Sequence, residues 1–181
     1  MRLMLLTFLA ALAAAENQTL TPFEVRASAP GTPIHNRMMT ASNLTFFLNG
    51  QTASFCPLQT GCPSGNHTVL NANASSLDVL VPGGQQIYAS PDGAVHYTQA
   101  HSAFIPPGSS TGPFFQADGV WHFTGLGARD FMACPTANHR WEVFVALRNA
   151  TVPLGNVTAC LPFVAMAIPF LAPEAGAFQY T

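Results

Sequence analysis

Proline and glycine interrupt this chain often: beyond residue 21, no stretch longer than 17 residues is free of both. Fifteen Pro and fourteen Gly are spread through 181 residues. Pro removes a backbone donor and clashes with the preceding turn of a helix, and Gly costs about 1 kcal/mol there relative to Ala. Long helices are thereby disfavoured, and short strands between turns are the remaining choice. Three turns have specific chemistry. Leu48-Asn49-Gly50-Gln51 has the Asn-Gly pair of a two-residue hairpin, between NLTFF and TASF. Ser90-Pro91-Asp92-Gly93 presets its second position with Pro and joins QIYA to AVHY. Asp118-Gly119 joins PFFQA to VWHF.

Between the turns the apolar residues alternate. Leu77, Val79 and Val81 share a face, as do Trp121 and Phe123, and Trp141, Val143, Val145 and Leu147. This predicts about eight to ten short strands in a single all-β domain, an antiparallel sandwich or barrel.

The amino terminus is different. MRLMLLTFLAALAAA places Arg2 before the apolar run Leu3 to Leu12 and ends on Ala13-Ala14-Ala15. This is the pattern of a secretory signal peptide cut after Ala15. The apolar run is too short for a membrane span, which takes about 20 residues. The reading therefore divides the chain into a signal peptide (1–15), a short segment (16–22) and an all-β domain (23–181), with no membrane partner once the signal is removed.

Charge narrows the function. There is no lysine, and after cleavage five Arg face eight Asp and Glu, a formal charge of −3. Nucleic-acid binding requires clustered basic residues and is excluded as a class. Charged residues are only 8% of the chain, against about 25% in a usual soluble domain. Another solubilising layer is needed, and the sequons supply a candidate. Asn-x-Ser/Thr occurs at Asn17, Asn43, Asn66, Asn73, Asn149 and Asn156, where chance would give about one or two matches. In a secreted chain these are expected N-glycan sites.

The four cysteines form an even set, for which disulfides are the default in an oxidising compartment. Three pairings are possible. The Pro and Gly of CPLQTGC favour a local Cys56–Cys62 bridge, which leaves Cys134 to pair with Cys160. A metal site would want Cys-x-x-Cys spacing and a nearby His pair. A catalytic thiol at Cys134 would need a free partner and a base.

Other motifs carry less. Gly108-Ser109-Ser110-Thr111-Gly112 fits the nucleophile-elbow pattern, but that motif works only between a strand and a helix. Pro106-Pro107 and Pro113 flank it, which predicts a loop. His96 and His101 read as opposite faces of one strand, and His122 faces away from Trp121 and Phe123. No two carboxylates are paired by spacing. Tyr88, Tyr97, Trp121 and Trp141 are the aromatics that could stack on sugar rings. CLPFVAMAIPFL, Cys160 to Leu171, is interrupted by Pro162 and Pro169. That reads as a buried central strand with an ordered end rather than a lipid-anchor signal.

The order of landmarks is also familiar. A Trp-x-Phe strand is followed by Gly125, FMACP, a Trp141-x-Val-x-Val strand and Cys160, with Ile34-His35 upstream. This resembles the fungal PhiA-like secreted cell-wall proteins, which are phialide-associated and IgE-binding-protein-like. The likeness spans roughly residues 23 to 165, with VWHF, FMACP and WEVF its specific core. CPLQTGC and the apolar tail depart from the pattern, and Pro106 to Pro113 has the character of an insertion. The resemblance transfers no catalytic residues, and the reading of the residues assigns no cofactor and no metal. It agrees with a structural role for Cys134, with Pro135 ending the strand and the Trp141 indole packed beside the bridge. The expected function is that of a non-catalytic secreted glycoprotein of the cell wall or extracellular space, in wall organisation or conidiation. Its expected partners are wall polysaccharide or another wall protein. The alternatives are a secreted effector or allergen-like binding module and a secreted hydrolase.

Overall fold

The computed structural model describes residues 21–181. The expected signal peptide (1–15) and Asn17 lie outside the described residues. Fourteen strands follow in chain order: β1 (Phe23–Ser28), β2 (Met39–Ser42), β3 (Thr45–Leu48), β4 (Ser54–Phe55), β5 (Val69–Leu70), β6 (Ile87–Ala89), β7 (Val95–Tyr97), β8 (Phe114–Ala117), β9 (Val120–Gly125), β10 (Ala128–Arg129), β11 (Phe131–Pro135), β12 (Trp141–Val145), β13 (Leu161–Pro169) and β14 (Gln179–Tyr180). Ten of them have three or more residues, and β4, β5, β10 and β14 are two-residue additions. The one helical element among the described residues is a single 3-10 turn, Val157–Ala159, whose N-cap Asn156 accepts from the Thr158 N–H.

All pairings between these strands are antiparallel, and the arrangement is sandwich-like. The main path runs β10-β9-β13-β11-β12-β3-β7-β6, with β1 beside β13, β5 beside β1, β2 beside β3 and β8 beside β9. β13 holds the two halves together. Its first residues pair with β11 (Leu161↔Ala133, Phe163↔Phe131), and its later ones with β1 and β9 (Ala165↔Ala27, Ala165↔Trp121). The apolar tail is thus a central strand, as its sequence predicts. It alternates rather than being buried on both faces, with Phe163, Ala165 and Ala167 inward and Val164 exposed. The chain end is ordered, with β14 paired to β4.

Two of the three predicted hairpins form. β6 and β7 pair across Ser90–Gly93, and β8 and β9 across Asp118-Gly119. The third forms elsewhere. β3 turns back on β2 through Asn43-Leu44, both with positive φ (54° and 59°). Leucine is a poor residue for that backbone, but its side chain packs on the core and its carbonyl accepts the Tyr97 N–H at 3.1 Å. Tertiary contact outweighs local preference here. Asn49-Gly50 is also a turn, but it directs the chain past β2 instead of pairing β3 with β4. Gly50 lies under the Arg140 guanidinium, where a Cβ would come within 3.0 Å of Nε.

The core is aromatic. Trp121 is wholly buried between Phe114 and Phe131, with ring centroids 5.5 and 4.3 Å away and nearly parallel planes. Its Nε1 donates to the Ala74 carbonyl at 2.9 Å, so its one polar atom is satisfied. A second anchor ties down β14. Buried Gln85 accepts the Tyr180 N–H at 2.7 Å and donates to the carbonyls of Tyr180 and Thr98. The Tyr180 hydroxyl accepts the Val69 N–H at 3.0 Å and donates to the His67 carbonyl at 2.8 Å. Tyr180→Phe leaves a buried N–H without a partner and is expected to cost about 1–3 kcal/mol in equilibrium denaturation. A loss within about 0.5 kcal/mol, the range of ordinary surface changes, would mean the hydroxyl is dispensable.

Candidate functional site

The four cysteines form two disulfides, Cys56–Cys62 and Cys134–Cys160. The first closes a small exposed loop. The second is buried on the outer face of β11. There Cys134 and Cys160 join Ala94, Met132, Phe144 and Val152 in a small cluster separate from the main core. The segment after β12 is drawn over this cluster by the bridge and by the Thr151 N–H bonded to the Asp92 carbonyl. Pro135 is the last residue of β11. The Trp141 indole is not beside the bridge, contrary to the sequence reading. Pro135 pairs with Trp141 and Cys134 with Glu142, so Trp141 points to the main core and the bridge to the opposite face. Strand parity decides this.

The five sequon asparagines in the described residues, Asn43, Asn66, Asn73, Asn149 and Asn156, are all exposed. Asn43 is on the β2–β3 turn, and Asn149 and Asn156 lie in the segment covering the Cys134–Cys160 bridge.

The proposed sugar-stacking aromatics do not converge. Trp121 and Tyr97 are fully buried, Tyr88 nearly so, and Trp141 is half-buried against the core. Alternation turned these rings inward because they are the largest apolar groups on strands with one buried face. None offers an open ring face to a polymer. Among the described residues the exposed Phe, Tyr and Trp side chains are Phe55, Phe104 and Phe115.

Ser110 sits in a loop, as its flanking prolines predict. Its backbone pairs with Ala89 in both directions at 2.8 Å, and its hydroxyl donates to the Gly112 carbonyl at 3.0 Å. No helix follows it, so the elbow geometry is not built. His101 is not on the strand of His96 but in the turn after it, with φ at 61°. His96 pairs with Tyr88 across β6–β7, and its Nδ1 lies 2.9 Å from the Thr45 hydroxyl and 3.2 Å from the Leu44 carbonyl. Burial pushes the His96 pKa down, against smaller upward pulls from Leu44 and Asp92. The unfolded chain therefore binds more protons at mildly acid pH, and this group favours folding above its ordinary value. Stability is expected to fall as pH drops below about 6.5. In His96→Gln that slope should flatten, and pH-dependent thermal melts of both proteins check it.

The carboxylates are dispersed. Burial raises Asp78, with the Gly176 N–H pulling the other way. Burial also raises Glu142, helped by Asp92 and opposed by Arg140. Asp92 is held at its turn by the Ser90 hydroxyl and the Ala94 N–H. The Arg140 guanidinium lies 3.5 Å from the centroid of the Phe47 ring. Neither Asp92 nor Glu142 lines any of the clefts described next. Among the described residues no group of three or more His, Cys, Asp or Glu is arranged to hold a metal.

Open clefts on the surface of the described residues include the following four. One of about 600 Å³ is lined by Glu24, Met39, Thr52, Asn66 and His67, and there His67 Nδ1 is 2.9 Å from Glu24 Oε1. One of about 490 Å³ lies by Gly83, Gly84 and His101, and one of about 400 Å³ by Asn43 and Thr181. The smallest, about 200 Å³, is lined by Phe115, His122, Thr124, Arg129 and Asp130. Its His122–Asp130 pair, 2.8 Å apart, was missed from the sequence. The turn at Asp118-Gly119 places Phe115 opposite His122, which was a usable signal, but no spacing rule brings in Asp130.

Comparison with known proteins now settles the lineage. The family described as PhiA-like secreted protein matches residues 23–181. The chain belongs to that family. An "uncharacterized secreted protein" of Arthroderma benhamiae is 42% identical over 167 residues, covering 87% of this chain and 85% of the relative. No solved structure matches the chain. The PhiA-like chain is accordingly a secreted, all-β, disulfide-bonded protein.

Proposed function

We propose that this PhiA-like chain is a non-catalytic glycoprotein of the fungal cell wall or extracellular space, with a role in wall organisation or conidiation. The observation that carries the reading is the exposure of all five described sequon asparagines, on a chain in which only 8% of residues are charged. Glycans at those positions would supply the hydration that charge does not. With the four large aromatics turned inward, attachment through them is not part of this reading.

Subcellular fractionation with peptide mass spectrometry before and after N-glycan removal tests it. Occupied sequons and recovery in the wall fraction are expected. Unmodified asparagines throughout, with recovery only in the culture fluid, would overturn it. That second pattern fits the effector or allergen-like reading, which one feature favours. Phe55 and Leu58 are exposed in and beside the Cys56–Cys62 loop, a small apolar knob suited to a protein contact.

A further inference from the structure

We propose that the outer face of β8, β9 and β10 is a carbohydrate-binding cleft that takes one neutral pyranose ring of a polysaccharide or glycan. The proposal deepens the wall reading and depends on it only for the ligand's setting. The cleft is built by register. The Asp118-Gly119 turn sets Phe115 opposite His122, and β10 sets Arg129 opposite Thr124. Because side chains alternate along β9, His122 and Thr124 share the face opposite to Trp121 and Phe123. Four side chains from three strands thus stand on one pleated surface, and Asp130 follows at its edge.

Each residue suits a different part of a sugar. Phe115 is 39% exposed, unusual for a Phe in a hairpin whose other aromatics are buried. Its ring is stacked on His122 with centroids 5.2 Å apart, which fixes its orientation. A pyranose presents an apolar C–H face that packs on such a ring and a rim of hydroxyls that both donate and accept. The His122–Asp130 contact uses one nitrogen and one carboxylate oxygen, so the second atom of each is available to a ligand. Arg129 adds a planar fork of donors, Asp130 its second carboxylate oxygen as an acceptor and Thr124 a hydroxyl, all suited to adjacent hydroxyls. The single Arg and single Asp offset each other, which favours a neutral ligand over an anion or a cation. The volume of about 200 Å³ is below the roughly 300–1,000 Å³ of drug-sized sites and suits a single ring.

The geometry is held rigidly. Asp130 has a left-handed backbone, φ 59°, uncommon outside Gly. It is fixed there by its N–H to the Phe123 carbonyl at 2.9 Å and by its carbonyl, which accepts the Ala146 N–H at 3.0 Å. The inward rings of the same hairpin, Phe114, Trp121 and Phe123, pack against one another on its buried face. Pre-ordered side chains on a rigid sheet lose little freedom when a ligand arrives.

The test uses the secreted protein after enzymatic removal of its N-glycans. Backbone and imidazole NMR signals are followed during titration with a β-1,3-glucan pentasaccharide, a chitin tetrasaccharide and an α-1,6-mannotriose. At least one is expected to shift residues 114–130 saturably, the His122 ring included. Phe115→Ala and Arg129→Gln should each weaken that binding by about tenfold or more, with melting temperatures unchanged. A glucan or chitin response assigns the cleft to wall polymer, and a mannose response to a mannan or glycoprotein glycan. The proposal is overturned by no saturable shift with any of the three, by shifts centred elsewhere, or by unchanged affinity in both variants. The wall reading is judged separately by fractionation, so either can fail without the other.

Discussion

Trp121→Ala is expected to lower stability by about 3–5 kcal/mol, the range for emptying a buried Trp or Phe site. The side chain has no exposed surface and is sandwiched between Phe114 and Phe131. Its removal opens a cavity where β9 meets β13, at the pair Trp121↔Ala165, which has only an alanine on the other side to fill the space. It also takes the Nε1 donor from the buried Ala74 carbonyl. A loss of this size is a large part of the roughly 5–15 kcal/mol that holds a usual domain together. Equilibrium urea denaturation, read by circular dichroism, should show a lower midpoint at unchanged slope. Trp121→Phe should fall between, since it keeps an aromatic in the stack but leaves the carbonyl unpaired. A cost below about 1 kcal/mol for the alanine variant would mean the core does not depend on this stack.

The double variant Cys134→Ala/Cys160→Ala is the second large effect. The bridge spans 26 residues. In the loop-entropy account a closed loop of that length stabilises by about 3–4 kcal/mol, and native bridges in small secreted domains commonly cost 2–5 kcal/mol when removed. Here the loss has a local target. The segment carrying Asn149 and Asn156 covers Met132, Phe144 and Val152, and without the bridge its hold on that cluster is reduced to a few contacts. A lower yield of secreted protein, a lower melting temperature and faster proteolysis between residues 146 and 160 are expected. The matching variant Cys56→Ala/Cys62→Ala should cost less, because its loop is short and exposed and covers no core. Equal losses for the two pairs would contradict both loop length and this packing as the source of the effect.

Much of the fold was legible because its determinants are local. The Ser90–Gly93 and Asp118-Gly119 turns form as their residues dictate, and Trp121, Phe123, Val143 and Val145 are inward as alternation requires. The Asn-Gly pair at 49–50 was misread because the hairpin signal measures only backbone freedom. A Leu at positive φ is a local penalty at Asn43-Leu44, offset by core packing and by the Tyr97 N–H, which lies 53 residues away in the chain. The aromatics were misassigned for a related reason. A ring that can stack on a sugar can equally fill a core, and only the second sheet decides which. Tyr97 and Trp121 went inward, while Phe115, one residue from the buried Phe114, stayed out.

The sequence by itself determined what depends on neighbours along the chain: strands in place of helices, two of the three proposed turns, the even cysteine set, low charge and six sequons. The tertiary structure decided what depends on distant partners. It made β13 the strand shared by both halves of the sandwich, put Cys134 on the face away from Trp141, and brought Asp130 to His122. The reason is range. Turn and strand preferences act over a few residues. Which of two faces becomes core, and which polar groups meet, is settled when apolar surface from separate strands is buried together.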